Sequence, residues 1–197
     1  MWNKRYSEPG FLFGTDPAAF LVRQKAYLKR GDRALAVADG EGRNSVYLAE
    51  RGLRVTAQDA SDVAIDKARG LASAREAEVD YQLADLSEWE WEADAYDLVA
   101  AIYIQFAAPA FRDEIFAGLQ KTLKPGGILM LHGYRPEQLG YGTGGPPCAE
   151  NMYTVELLQS RFGEMEIVRL EGYDVEVQEG RGHSGQSALI DLIAKKR

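Results

Sequence analysis

Apolar residues recur along this chain in two alternating rhythms. Short unbroken apolar runs suit strands buried on both faces; apolar residues returning every three or four positions suit amphipathic helices. The first run is Ala34 to Ala38. A turn with Gly40 and Gly42 follows, then a helix from about Asn44 to Arg51 that stops at Gly52. Val55 to Gln58 reads as a second strand ending in the carboxylate of Asp59. Ser61 caps a helix with Ala64, Ile65, Ala68 and Leu71 facing inward. Val79, Tyr81 and Leu83 alternate as a strand ending at Asp85, and Tyr96 to Tyr103 reads as a central buried strand. Phe111, Ile115, Phe116, Leu119 and Leu123 form a helical stripe stopped by Lys124-Pro125-Gly126-Gly127, and Ile128 to Leu131 is another buried strand.

The two ends follow different patterns. Asp16-Pro17 predicts a helix start, with Phe20, Leu21, Tyr27 and Leu28 on one face. Residues 133–150 are rich in glycine, proline and tyrosine and predict an irregular loop. Thr154 to Arg161 is a short helix ending before Gly163. Met165 to Val177 and Ser187 to Ala194 read as strands joined by the turn Glu179 to Gln186, an antiparallel pair. Alternating strands and helices predict an α/β fold, a doubly wound and mostly parallel sheet with helices on both faces and a C-terminal antiparallel β-hairpin.

Composition narrows the classes. A chain of 197 residues can bury one full core. No apolar run is long enough to span a membrane, and Met1-Trp-Asn-Lys-Arg-Tyr lacks the apolar core of a signal peptide. The lone Cys148 permits no internal disulfide, which fits a reducing cytoplasm. A net charge of −7 with dispersed Lys and Arg argues against a nucleic-acid partner. His132, His183 and Cys148 offer no metal-ligand cluster.

Strand, glycine turn, helix, strand, acid is the layout of a nucleotide-cofactor half-site. Glycines let the backbone approach the ligand, and the acid accepts hydrogen bonds from ribose hydroxyls. In such sheets ligands sit beyond the carboxyl ends of the strands. That places Asp39 to Gly42, Asp59, Asp85, Tyr103 to Phe106 and His132 to Arg135 at the site.

These features together resemble a class I S-adenosylmethionine-dependent methyltransferase over nearly the whole chain. The glycine turn matches the family's first motif, Asp59 its ribose-binding acid, and Asp85-Leu86 its adenine contact. Tyr96-Asp97-Leu98-Val99, Leu123-Lys-Pro-Gly-Gly127 and the late strand pair also match. Trp2-Asn-Lys-Arg-Tyr6 and Phe13-Gly-Thr-Asp-Pro17 are similar to the N-terminal segment of the tellurite-resistance and thiopurine-type branch. The resemblance implies a Rossmann-like single domain over 1–197, with 1–30 as an N-terminal lid segment and helix and 31–197 as the cofactor-binding core. It implies that Asp39, Gly40, Gly42, Asn44, Asp59, Ala60, Asp85, Leu86, Ile102 and Gln105 hold S-adenosyl-L-methionine. Tyr6, Phe13, Phe106, Tyr134 and Arg135 are then the expected contacts of a small-molecule acceptor, and no metal is called for.

The first motif departs from the family. Ala36 stands where the family has an acid, and Ala38 where it has its first glycine. The acid's role of holding the methionine ammonium would shift to Asp39 or Glu41, and alanine at 38 fits if that residue keeps a negative φ. His132, His183 and Tyr103 are the candidate catalytic residues. A base is needed only if the acceptor's nucleophile arrives protonated; a thiolate, selenol or tellurite-like acceptor needs none. Two other readings compete. Gly40-x-Gly42-x-x-Ser45 nearly matches the dinucleotide fingerprint of an NAD(P)-dependent oxidoreductase. A non-catalytic S-adenosylmethionine-binding protein is motivated by Ala36 and Ala38.

Overall fold

The apolar runs become strands and the periodic stretches become helices in a computed structural model that describes residues 2–197. The elements group into two units, Met1–Glu90 with Glu179–Gly182 and Trp91–Gln178 with His183–Arg197.

The first unit holds α1 (Trp2–Tyr6), α2 (Ala19–Arg23), β1 (Arg33–Val37), α3 (Arg43–Glu50), β2 (Arg54–Asp59), α4 (Asp62–Ala74) and β3 (Val79–Leu83). β1 pairs parallel with β2, and β2 with β3. Ala34 to Val37 are all buried, so β1 has no polar face, as expected of a parallel strand covered on both sides. Ser61 caps α4 by accepting from Ala64 N at 3.1 Å. Ile65, Ala68, Leu71 and Ala72 of α4 then pack with Val46 and Ala57. The helix expected at Asp16-Pro17 begins later, because other side chains do the capping. Ala18 N donates to Asn44 Oδ1 at 3.0 Å and Ala19 N to Glu179 Oε1 at 2.9 Å, while Asp16 stays exposed. The short helix α1 is an element the apolar pattern did not predict.

The second unit holds β4 (Tyr96–Ile102), α5 (Pro109–Thr122), β5 (Leu123–Tyr134), α6 (Gln138–Tyr141), α7 (Val155–Phe162), β6 (Glu166–Glu179, whose last residue belongs to the first unit) and β7 (His183–Lys195). β4 and β5 are parallel, and β5 and β7 antiparallel. The seven-stranded sheet has the order β3-β2-β1-β4-β5-β7-β6, mostly parallel with the hairpin last. Lys124 to Gly127 does not stop the chain but lies inside β5. Leu123 pairs with Tyr96 and Ile128 with Leu98, and a register shift absorbs the extra residues. The expected turn Glu179 to Gln186 is shorter, so His183 is the first residue of β7. The loop 133–150 contains the last residues of β5, α6 and a 3₁₀ turn from Ala149.

Candidate functional site

In the first unit β1 runs into a turn that is left-handed at three positions: φ is +47° at Ala38, +65° at Gly40 and +92° at Gly42. Ala38 therefore does not keep the negative φ that would suit alanine. Its strain, roughly 1 kcal/mol or more, must be held by its surroundings. Gln58 supplies the hold. Its Oε1 accepts Ala38 N at 3.1 Å, its carbonyl accepts Asp39 N at 3.0 Å, and its Nε2 donates to Ala84 O.

Asp59 ends β2 and braces the same turn. Its Oδ2 accepts Gly40 N at 2.8 Å and its Oδ1 accepts Ser61 N at 2.8 Å. Burial pushes its carboxyl up, against the pull of the backbone N–H groups of Ser61, Gly40 and Ala60. Asp39 accepts from Ser45 through both N–H and hydroxyl. Desolvation nonetheless pushes its carboxyl up to about 6, with Asp59 adding to the rise and Arg43 opposing it. Two carboxylates thus lie in the turn at a cost that a bound cation or hydroxyl donor would offset.

The sign of the Asp39 shift gives a test. Its folded-state value lies above the ordinary 3.8, so its contribution to stability is full below about pH 4 and is lost as pH rises through about 6. Discounted for partial exposure, the loss is about 2 kcal/mol. Denaturant melts at pH 4 to 8 should show this decline in the wild type and a smaller one in Asp39→Asn, where the raised carboxyl of Asp59 still titrates.

The N-terminal segment is fastened over the turn. Glu41, in the turn itself, accepts Leu12 N at 2.7 Å and pairs with Lys67 at 3.0 Å. Lys67 also donates to Glu8 O and Gly10 O, and Asn3 accepts from Ser61. Tyr6 is buried, stacks on Trp2 and meets the edge of Phe13. Its hydroxyl lies 2.9 Å from where a Cβ on Gly40 would be. Residues 179–182 close the other side. Glu179 pairs with the buried Arg43 at 2.8 Å, and Gly182 N donates to Leu12 O. Asn44 is occupied by Ala18 N, as above. Asp85 is exposed and accepts from Ser87 N and Oγ, Leu86 is buried, and Ala60 is exposed.

In the second unit the aromatic and histidine candidates converge. Tyr103, with φ +58°, has its ring centroid 4.7 Å from that of His132, 5.1 Å from Tyr134 and 4.1 Å from His183. A tyrosine in the left-handed region costs roughly 1–3 kcal/mol, a strain that clusters at functional sites. His132 Nδ1 lies 2.7 Å from Asp191 Oδ1, which also accepts the Tyr173 hydroxyl at 3.0 Å. Gln105 grips the Tyr134 backbone at both ends, Oε1 to N at 2.6 Å and Nε2 to O at 2.8 Å. Arg135 is engaged with Asp174, Glu137 and Leu189 O. Ile102 is buried and Phe106 exposed. The sequence reading missed Asp191, although one acid inside the apolar run Ala188 to Ala194 was a visible signal. It missed Tyr173 and Glu179 as well, because their partners are remote in sequence.

Among the described residues no group of three or more His, Cys, Asp or Glu could hold a metal ion. No helix among them is long and apolar enough to cross a membrane.

Residues 34–127 match the family model described as a methyltransferase domain. The match takes in just under half of the chain. Solved structures agree on the fold. A SAM-dependent methyltransferase from Methanosarcina mazei is 19% identical, with a TM-score of 0.74 over 92% of this chain and 98% of its own. A structure concerned with converting a disulfide bond into a thioacetal group in echinomycin biosynthesis is 18% identical, with a TM-score of 0.77 over 96% and 85%. TehB from Haemophilus influenzae is 15% identical, with a TM-score of 0.73 over 100% of this chain and 66% of its own. No curated protein sequence matches the chain significantly. The matched span includes the glycine turn, Asp59 and the Lys-Pro-Gly-Gly segment of β5.

Proposed function

We propose that this protein transfers a methyl group from S-adenosylmethionine to a small-molecule acceptor by in-line displacement. The observation that carries the reading is the pairing of a left-handed glycine turn with Asp59 inside the matched domain. The donor set fits the cofactor. Asp59 can accept from vicinal ribose hydroxyls while it braces the turn, because each carboxylate oxygen accepts more than one hydrogen bond. Gly40 leaves room where a Cβ would intrude. Asp39 takes over the ammonium from the missing acid at position 36. Glu41 does not, because it is committed to Leu12, Phe13 and Lys67.

When bound, the cofactor supplies an activated methyl on a sulfonium. The chain's own work is to hold the acceptor in line and exclude water, and positioning of this kind contributes roughly 7–11 kcal/mol. Tyr6, Phe13 and the segment around them enclose the donor side. Tyr134 and the Tyr103 cluster serve the acceptor, with Phe106 and Arg135 as further contacts. Asn44, Ala60, Asp85 and Leu86 line or brace the cofactor's place. Assignment to the tellurite-resistance and thiopurine-type branch rests on the N-terminal segments Trp2 to Tyr6 and Phe13 to Pro17. The net charge of −7 supports a small acceptor over a nucleic acid.

Calorimetry tests the cofactor. S-adenosylmethionine should bind in the micromolar range, roughly −8 kcal/mol. Its affinity should weaken below about pH 6 as Asp39 takes up a proton. Binding of a nicotinamide dinucleotide with none of the methyl donor would sink the reading, and turnover of the donor separates an enzyme from a binding protein.

A further inference from the structure

The N-terminal segment crosses the glycine turn with its two ends anchored and its middle open to water. Tyr6 before it and Ala18, Phe20 and Leu21 after it are buried, whereas no residue from 7 to 17 is. That middle is held by hydrogen bonds instead of apolar packing, and segments held so open locally at low cost. Gly10 and Gly14 bound its centre, with φ of +75° and +73°. Glycine carries no penalty in that region, so the stretch between them can swing as a unit. Its hydrogen bonds come from two sides, both within the first unit. On one side the buried Glu41 accepts Leu12 N and Phe13 N, and Lys67 donates to Glu8 O and Gly10 O. On the other side lies the hairpin tip, residues 179–182. Gly182 N donates to Leu12 O at 3.0 Å, and Arg181 donates to Pro9 O at 3.2 Å and stands 3.5 Å from Glu8. Leu12 therefore gives its N–H to the turn and its carbonyl to the tip. Contact at the tip is close. A Cβ on Gly180 would overlap the backbone of Phe13 and Gly14, and one on Gly182 would overlap the Phe13 ring. Glu179 fixes the tip in turn, through Ala19 N at 2.9 Å and the buried Arg43 at 2.8 Å.

We propose that residues 7–17 are a gate over the glycine turn, that the hairpin tip 179–182 is its latch, and that S-adenosylmethionine and its product pass only when the latch releases. The inference rests on the reading of that turn as the cofactor's place and adds to it what sets the rate of exchange. The two sides of the gate are unequal. Glu41 and Lys67 hold the segment through groups that are largely covered, whereas the side chains of Arg181 and Glu8 are both more than half exposed. Exposed ion pairs contribute little, so the tip is the side that yields first. With the tip released, only the Glu41 and Lys67 bonds keep the segment on the turn. A latch has its own kinetic signature. Loosening it populates the open form whether or not the site is filled. Entry and exit then speed up by the same factor, and equilibrium affinity barely moves. A tip that shaped the site itself would act differently, because lost ligand contacts appear mainly in the dissociation rate.

Two measurements on Arg181→Ala and Gly182→Ala test this. The first is amide hydrogen exchange of the ligand-free proteins, which needs no cofactor. Exchange at Leu12 and Phe13 should quicken roughly threefold in Arg181→Ala, where an exposed ion pair and one hydrogen bond are lost. It should quicken about tenfold or more in Gly182→Ala, where the added methyl presses on the Phe13 ring. Amides of β1 and β2 should exchange as in the wild type. The second is stopped-flow binding of S-adenosylhomocysteine. Association and dissociation rates should rise together by those same factors, with the dissociation constant within a few-fold of the wild type. Unchanged exchange at Leu12 and Phe13 in both variants overturns the latch. Faster exchange with unchanged binding rates, or a rise in dissociation alone, overturns the gate. Should Gly182→Ala fail to fold, Arg181→Ala decides by the same criteria. Absence of S-adenosylhomocysteine binding to the wild type would instead defeat the reading of the turn as the cofactor's place, and the exchange data would still judge the latch.

Discussion

Replacing Asp59 by Ala should lower affinity for S-adenosylhomocysteine by a hundredfold or more. Two losses combine. The first is the acceptor proposed for the ribose hydroxyls, where hydrogen bonds to a charged group contribute about 1.5–3 kcal/mol. The second is the brace on the turn, because Gly40 N and Ser61 N both donate to this carboxylate at 2.8 Å. Each buried N–H left without an acceptor costs about 1–3 kcal/mol, so stability should fall together with affinity. Ser61→Ala separates the two. It removes the cap on Ala64 N, worth about 1 kcal/mol, and leaves Asp59 in place. Its affinity should stay near that of the wild type. Isothermal calorimetry on both variants, with urea melts alongside, reads the outcome. Unchanged affinity in a folded Asp59→Ala would reduce Asp59 to a structural brace.

What the sequence discloses here is whatever depends on neighbours along the chain. The strand at Ala34, the capped helix after Ser61 and the hairpin near the C-terminus follow from local periodicity and local caps, and the structure has all three. The missed features depend on partners remote in sequence. Asp16 looks like a cap, yet Asn44 and Glu179 do the capping, from 26 and 160 residues away. Lys-Pro-Gly-Gly looks like a stop because proline and glycine usually end elements. Pairing with the chain's last residues keeps it in β5, where Gly126 N donates to Lys196 O. Ala38 reads as a residue with negative φ because alanine ordinarily has one. Only the hold from Gln58, twenty residues on, lets it run left-handed. The candidate site divides in the same way. Asp59 and the glycines were legible from spacing. The roles of Glu41 and Asp191 were not, because Leu12 and His132 reach them only through the fold.

The two glycines of the turn should fail in different ways when replaced by alanine. At Gly42 the φ of +92° is unfavourable for any L side chain, and a Cβ would sit 2.7 Å from Ala68 Cβ and 2.9 Å from Ala68 Cα. Ala68 belongs to the buried face of α4, so backbone must move. Strain and overpacking together should cost Gly42→Ala about 3–4 kcal/mol of stability, a large share of what a domain has. At Gly40 the φ is +65° and the nearest atom to a Cβ is the Tyr6 hydroxyl at 2.9 Å, the far end of a side chain that can turn aside. Gly40→Ala should therefore cost only about 1 kcal/mol in stability, the price of alanine in the left-handed region. The methyl would then stand on the surface proposed for the cofactor, where close backbone approach is the reason for glycine. Affinity for S-adenosylhomocysteine should fall at least tenfold in Gly40→Ala while the melting curve barely moves. In Gly42→Ala the melting curve should move by many degrees. The reverse pattern, with Gly42→Ala stable and Gly40→Ala still binding as the wild type does, would place the cofactor away from this turn.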